Sequence, residues 1–414
     1  MSTVQGHGSD LPTIDLLADT WFRGVPHDQF DHLRRTAPVY WHEEQGGSGF
    51  WAITKHADVK RISRDPRTFS SALGSTFIPD QDEETLVMLR LSVLNMDDPQ
   101  HTRYRNIVAK GFTPRVIAKL VEDIDARAKR VVDDVVARGE CEFVNDIASK
   151  VPIQTICTML GLDDELWPRM VELTNQMISG LGEEGQTAGH MAAMEVYALC
   201  DQMAAARRAE PRDDIMTALV NAEVDGERLD DGELNMFFVT LIVAGNETTR
   251  NLINHAMLAI IDNPGEAERL RADESLWPTA VDEMLRYGTS IHNFRRTATV
   301  DTEIRGTPIK AGDKVVMYYA AANRDEDVFA DPHRFDVGRK PNDHVTFGGG
   351  GVHFCLGASL AKAQIRATMR EVVLRLGNPQ LAGSVKRLRS DFVSGVTEMP
   401  IVFTPGEREG TPQA

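Results

Sequence analysis

The segment Phe347–Arg366, FGGGGVHFCLGASLAKAQIR, decides how this chain reads. Four glycines, a histidine and one cysteine, Cys355, run straight into a helix-forming stretch. A cysteine ligates metal or reacts as the thiolate, and a helix start lowers a thiol's pKa because first-turn N–H groups face the charge. The stretch after Cys355 places the amides of Leu356 and Gly357 to donate to the sulfur. Glycines ahead of the thiol let backbone lie close to a large flat ligand. On the cysteine alone, the competing reading is a buried thiol in a glycine-rich turn.

The remainder of the chain is ordinary globular material, with 42% apolar and 26% charged residues among 414. Acidic residues outnumber basic ones by 62 to 45, for a formal charge of -17, which argues against nucleic acid as the main partner. The opening MSTVQGHGSDLPTIDL lacks the basic and apolar regions of a signal peptide. The longest apolar runs, such as FFVTLIVAG, fall short of the roughly 20 residues a membrane span needs. A cytoplasmic protein is expected. Cys141, Cys157 and Cys200 sit in apolar helical patterns as small buried hydrophobes, and no CxxC pair or zinc spacing is present.

One domain over residues 1–414 is the economical organisation. It is mainly helical with small β-sheets: helix-rich over about 98–290 and 355–377, β-rich over about 38–55, 296–320 and 390–404, with disordered tails at 1–10 and 406–414. PVYWHEE and GFWAITK flank a QGGS turn and read as a hairpin. ATVDTEIRGTPIKAGDKVVMYY reads as a second hairpin, and a last strand pair is expected within SDFVSGVTEMPIVFTP. The clearest helix runs from the capping box Asp230/Glu233 to the stop Asn263–Pro264, apolar almost all round and therefore buried. Gly180–His190, rich in glycine, reads as a lid loop.

That helix carries AGNETT. Gly245 in a helix interior costs about 1 kcal/mol relative to alanine, so its presence needs a reason. Thr248 can bond the carbonyl of Ala244, four residues back, and open the ladder locally. DEMLRY places Glu283 and Arg286 on one helix face, which alone signals only a solvated pair. DDPQHTRYR puts His101 and Arg105 four apart, on one face as well.

Taken with these, FGGGGVHFCLG resembles the haem-binding loop of the cytochrome P-450 family, although Phe347 lies one residue further from Cys355 than the family's commonest spacing. The resemblance spans nearly the whole chain and implies the family's fold, a triangular prism with a long helix over haem b (iron protoporphyrin IX). It implies Cys355 as axial thiolate, with Phe347, Gly349 and Gly357 around the cofactor. It implies His101, Arg105, Arg296 (in FRRTA) and His353 as the propionate clamp. Ala244 and Gly245 would make room for dioxygen, and Glu247 and Thr248 would deliver protons. Glu283 and Arg286 match the ExxR motif, with Arg334 or Arg339 of DPHRFDVGR as partner and Arg334 the better match in spacing. Such a monooxygenase would draw electrons from a ferredoxin and its NAD(P)H-dependent reductase, with Lys110, Lys362 and Arg366 facing the acidic partner. The expected pocket wall is Phe77, Ile78, Met88, Leu94, Ile242, Val243, Ile291 and Phe294, all apolar. Steroid side-chain hydroxylation is the branch most resembled, with terpenoid or branched-lipid hydroxylation next. A haem-thiolate sensor or a peroxide-driven enzyme is the alternative from another class.

Overall fold

The structure, a computed structural model, describes residues 14–17, 21, 24–179 and 186–410. Six helices frame the site: α1 (Gln100–Ala109), α2 (Pro114–Asp133), α3 (Lys150–Leu160), α4 (Asp231–Asp262), α5 (Trp277–Tyr287) and α6 (Ala358–Arg375). α4 starts where the sequence predicts. The Glu233 amide donates to Asp230 Oδ1 (2.8 Å), and the Asp230 amide donates to Glu233 Oε2 (2.9 Å). This reciprocal cap satisfies two N–H groups that a helix start otherwise leaves orphaned. α4 packs against α3, α5 and α6, and one apolar cluster runs through α2 to α6. Each fully buried Leu, Ile or Phe there contributes about 1.5–3 kcal/mol relative to exposure.

A five-stranded sheet flanks the helices in the order β1 (Val39–His42), β2 (Phe50–Ile53), β5 (Lys314–Tyr318), β4 (Asn293–Ala298) and β3 (Phe69–Ser70). β2 and β5 are parallel; the other pairs are antiparallel. The first predicted hairpin forms with Val39 opposite Ile53. The second is nested: Thr302–Ile304 folds on Thr307–Ile309 inside the wider pairing of β4 with β5. The last expected pair does not form. Val396–Glu398 pairs with Lys386–Arg387, whereas Pro400–Thr404 lies between Gly377–Leu381 and Glu140–Glu142. Only Met399 separates the two runs, one residue short of the tightest hairpin loop, and its amide donates to Glu142 Oε1 (2.6 Å) instead.

Residues 1–10 and 411–414 of the expected tails lie outside the described residues, as do 180–185 of the expected lid loop. Residues 186–190 form the first turn of the helix Gln186–Ala209. At the other end Glu409 is tied to α2: Lys129 Nζ lies 2.7 Å from its carboxylate, and its amide donates to Asp133. Among the described residues, no helix is long and apolar enough to cross a membrane.

Candidate active site

Cys355 stands just ahead of α6, and its amide donates to the Phe347 carbonyl (2.9 Å), which closes the glycine loop on itself. The side chain is exposed only into a recess, so the protein around it raises the thiol's pKa. The Gly357 amide and the Arg105 guanidinium act in the opposite direction. A thiol of this kind ligates as the thiolate and releases its proton to solvent when the metal binds. Two of the loop's glycines turn out to serve the protein and not a flat ligand. A Cβ on Gly349 would lie 2.8 Å from Lys60 Cα, and one on Gly351, where φ is +78°, would lie 2.1 Å from the Ser63 carbonyl. Both press the loop onto the helix His56–Ser63. A Cβ on Gly357 would meet nothing within 4 Å, so that side stays open.

Two guanidinium groups and two imidazoles gather round the thiol, and burial lowers the pKa of both imidazoles, so the arginines carry the positive charge. The rings of His101 and His353 lie 4.1 Å apart, and His101 is buried with Nδ1 lacking a hydrogen bond. His353 Nε2 sits 3.1 Å from Ser71 Oγ. Arg105 donates to the Phe354 carbonyl (2.6 Å), and Arg296, 6% exposed, only to the carbonyl of its neighbour Arg295 (2.8 Å). Neither arginine has an ion-pair partner among the described residues, and burial lowers the pKa of both. A buried cation without a partner costs several kcal/mol. An open thiol beside two guanidinium groups without carboxylate partners among the described residues therefore fits a metal-centred ligand bearing two carboxylates, as haem does.

α4 presents Ala244 and Thr248 to the open side. Thr248 Oγ1 donates to the Ala244 carbonyl at 2.8 Å, the predicted back-bond. Thr240, one turn earlier on the same stripe, is a residue the sequence reading missed; its Oγ1 lies 3.3 Å from Ser92 Oγ. Gly245 faces the other way, with Ile156 Cγ1 of α3 just 3.0 Å from where a Cβ would be, so it does not widen the space beside Ala244. Glu247 is turned inward as well. It is 3% exposed, and Oε1 accepts from Arg250 (2.6 Å) and Asn251 (2.7 Å).

The cytochrome P450 family model matches residues 153–377. The chain belongs to the cytochrome P450 family. It is 37% identical over 391 residues to the steroid C26-monooxygenase of Mycolicibacterium smegmatis, covering 92% of this chain and 91% of that one. It is 41% identical over 389 residues to the methyl-branched lipid omega-hydroxylase of Mycobacterium bovis, covering 91% and 90%. A Mycobacterium marinum cytochrome P450 in complex with pseudoionone superposes with a TM-score of 0.88 at 38% identity, over 97% of this chain and 100% of that one. The chain is thus a P450 monooxygenase with a haem-iron cofactor.

The P450's ExxR pair is fully buried. Arg286 donates through Nε and Nη2 to Glu283 at 2.7 Å each, and through its other N–H groups to the carbonyls of Asn323, Pro332 and Arg334. Of the two candidate arginines, Arg339 reaches Glu283 with its side chain, 3.1 Å away, as Asn342 does, whereas Arg334 contributes only its carbonyl, to Arg286. The network runs on to the thiolate loop: Asn323 bonds Thr346 Oγ1 (2.9 Å), which donates to the Leu285 carbonyl (2.8 Å).

Of the expected pocket wall, Phe77 and Phe294 meet through Phe392, with ring centroids 4.9 and 5.3 Å from it. Ile291 bridges Val393. Phe392 and Val393 were missed because SDFVSG reads as plain strand. Val243 and Leu94 are half-buried, the latter close to Thr240 through Ser92. Two expected wall residues are core. Ile242 is 1% exposed within the main cluster, and Ile78 packs with Trp21, Phe30 and Phe50 beyond the sheet. Met88 is exposed on the helix Glu83–Leu89, which buries none of its residues. Of the expected docking cations, Lys362 pairs with Asp282 (2.7 Å) and Arg366 with Asp125 (3.6 Å). Lys110 is exposed.

Proposed function

We propose that residues 1–414 work as one catalytic unit that hydroxylates the aliphatic side chain of a steroid, with a methyl-branched lipid as the second substrate class. The observation that carries this reading is the apolar wall of Phe77, Phe294, Phe392 and Ile291, with no charge among these residues and with Phe294 on the strand that also carries Arg296. The names of the two relatives support the same pair of classes. Terpenoids rank third, supported by the pseudoionone in the M. marinum relative.

Cys355 would ligate the haem iron, and His101, Arg105, Arg296 and His353 would hold the propionates. The haem would be of b type, as the family resemblance implies. When bound, the haem supplies dioxygen activation, favoured by thiolate donation. The chain's own work is to exclude water with the aromatic wall, to orient the substrate, and to hold a proton-bearing hydroxyl at Thr248. Glu247 supplies the proton reservoir behind it once Arg250 releases its carboxylate. A ferredoxin and its reductase would deliver the electrons in the cytoplasm, as the resemblance implies, and Lys110, exposed, would offer a cation to them.

The test is an optical titration of the ferric protein with a side-chain-bearing steroid, a methyl-branched fatty acid and a monoterpene. A blue shift of the main haem band with the steroid is the expected result. A shift with the branched acid alone moves the assignment to lipid oxidation, and a shift with the terpene alone removes both.

A further inference from the structure

A cavity of about 500 Å³ lies beside the C-terminal half of α4, and no residue of the cysteine loop lines it. That size falls within the range of ligand pockets. Leu258, Ala259 and Val385 supply apolar lining, and two guanidinium groups, Arg324 and Arg387, supply charge. Neither has an ion-pair partner among the described residues. Arg324 is 3% exposed; its Nη atoms donate to the carbonyls of Arg286 (3.1 Å) and Tyr287 (2.9 Å), which leaves Nε without an acceptor. Arg387 is half-buried and makes no hydrogen bond among the described residues. The lining's single carboxylate, Asp262, is exposed.

Guanidinium groups removed from water ordinarily meet a carboxylate or phosphate. Here two of them line one cavity and neither is matched, beside enough apolar surface to hold a chain. We propose that this cavity binds a carboxylate-bearing amphiphile, its carboxylate on Arg387 within the field of Arg324, its hydrocarbon against Leu258, Ala259 and Val385. The occupant is coupled to the substrate wall. Ser394 lines the cavity and donates to the Ser290 carbonyl (2.8 Å), and the next residues back are Val393, bridged to Ile291, and Phe392, packed on Phe77 and Phe294. A ligand behind these turns changes substrate affinity in front of them, and substrate changes its affinity by the same factor.

The experiment is calorimetric titration of dodecanoate into the holoenzyme with its iron ligated by 4-phenylimidazole, which occupies the haem side. One equivalent is expected to bind, at least tenfold more tightly than dodecanol. Arg387→Gln weakens dodecanoate at least tenfold, and Leu258→Trp, which fills the cavity from α4 and leaves the arginines intact, does the same. Absence of binding, equal binding of dodecanol, or full binding by a folded Leu258→Trp variant overturns the proposal. None of these outcomes depends on which substrate the haem pocket takes.

Discussion

Gly245 crosses α3 so closely that a Cβ added to it would lie 3.0 Å from Ile156 Cγ1 and 3.1 Å from Cδ1. The residue serves a helix crossing, and the open side belongs to its neighbour Ala244. Gly245→Ala gains up to about 1 kcal/mol of helix propensity and loses about 1–3 kcal/mol to overpacking. A net destabilisation of about 1 kcal/mol is expected in denaturant melts. In an Ile156→Ala background the same change becomes stabilising, so the double-mutant cycle shows a coupling. Additive effects would mean that the crossing does not explain the glycine.

Arg339 and Arg334 differ in what they give the ExxR pair. Arg339 contributes its side chain to the fully buried Glu283; Arg334 contributes a backbone carbonyl to Arg286, which any residue supplies. Arg339→Ala should cost about 3 kcal/mol, as removing one partner of a buried ion pair does, and should lower the fraction of haem retained. Arg334→Ala should stay within about 0.5 kcal/mol of the parent. Equal losses in the two variants would return Arg334 to the role its spacing suggests.

Thr248 is half-buried, and its hydroxyl is held by the Ala244 carbonyl at 2.8 Å. Thr248→Ala removes the hydroxyl and raises helix propensity slightly, so stability is kept or improved. Product formed per electron pair consumed should fall by more than half, and Thr248→Ser, which restores a hydroxyl, should recover most of it. Intact coupling in the alanine variant would show that the hydroxyl does not serve proton delivery.

The loop around Cys355 and the ends of α4 are legible in sequence because their causes are local. A thiol placed at a helix start and a reciprocal Asp–Glu cap each act within a few residues. The side of α4 that faces the cavity is not legible. The helix is apolar almost all round, so nothing in its pattern separates Ile242, in the core, from Ala244, in the open. Glu247 and Thr248 are adjacent in sequence but about 100° apart round the axis, and only packing reveals that one is buried against Arg250 and the other is not. The last strands were mispaired for a related reason. One partner of Pro400–Thr404, Glu140–Glu142, is distant in sequence, and the other partners, Gly377–Leu381 and Lys386–Arg387, lie before the segment read as a pair; strand alternation specifies a face, not a neighbour.

His255 gives the protein a pH-dependent stability. Its Nε2 lies 2.8 Å from the Ser394 carbonyl, and burial, with Arg387 adding to it, lowers its pKa to about 4. An unfolded histidine titrates near 6.5. Between these values the unfolded chain binds the extra proton, so stability falls as pH drops from about 6.5 toward 4 and is whole above that window. The full shift corresponds to about 3 kcal/mol, and since the ring borders a cavity, about 2 kcal/mol is the better expectation. His255→Gln should remove that part of the slope when denaturant midpoints are compared at neutral pH and in the middle of the window. An unchanged slope would assign the whole effect elsewhere. Part of the slope that remains in the variant belongs to His27, His42, His101, His292 and His353, whose pKa values burial also lowers, so their contribution has the same sign.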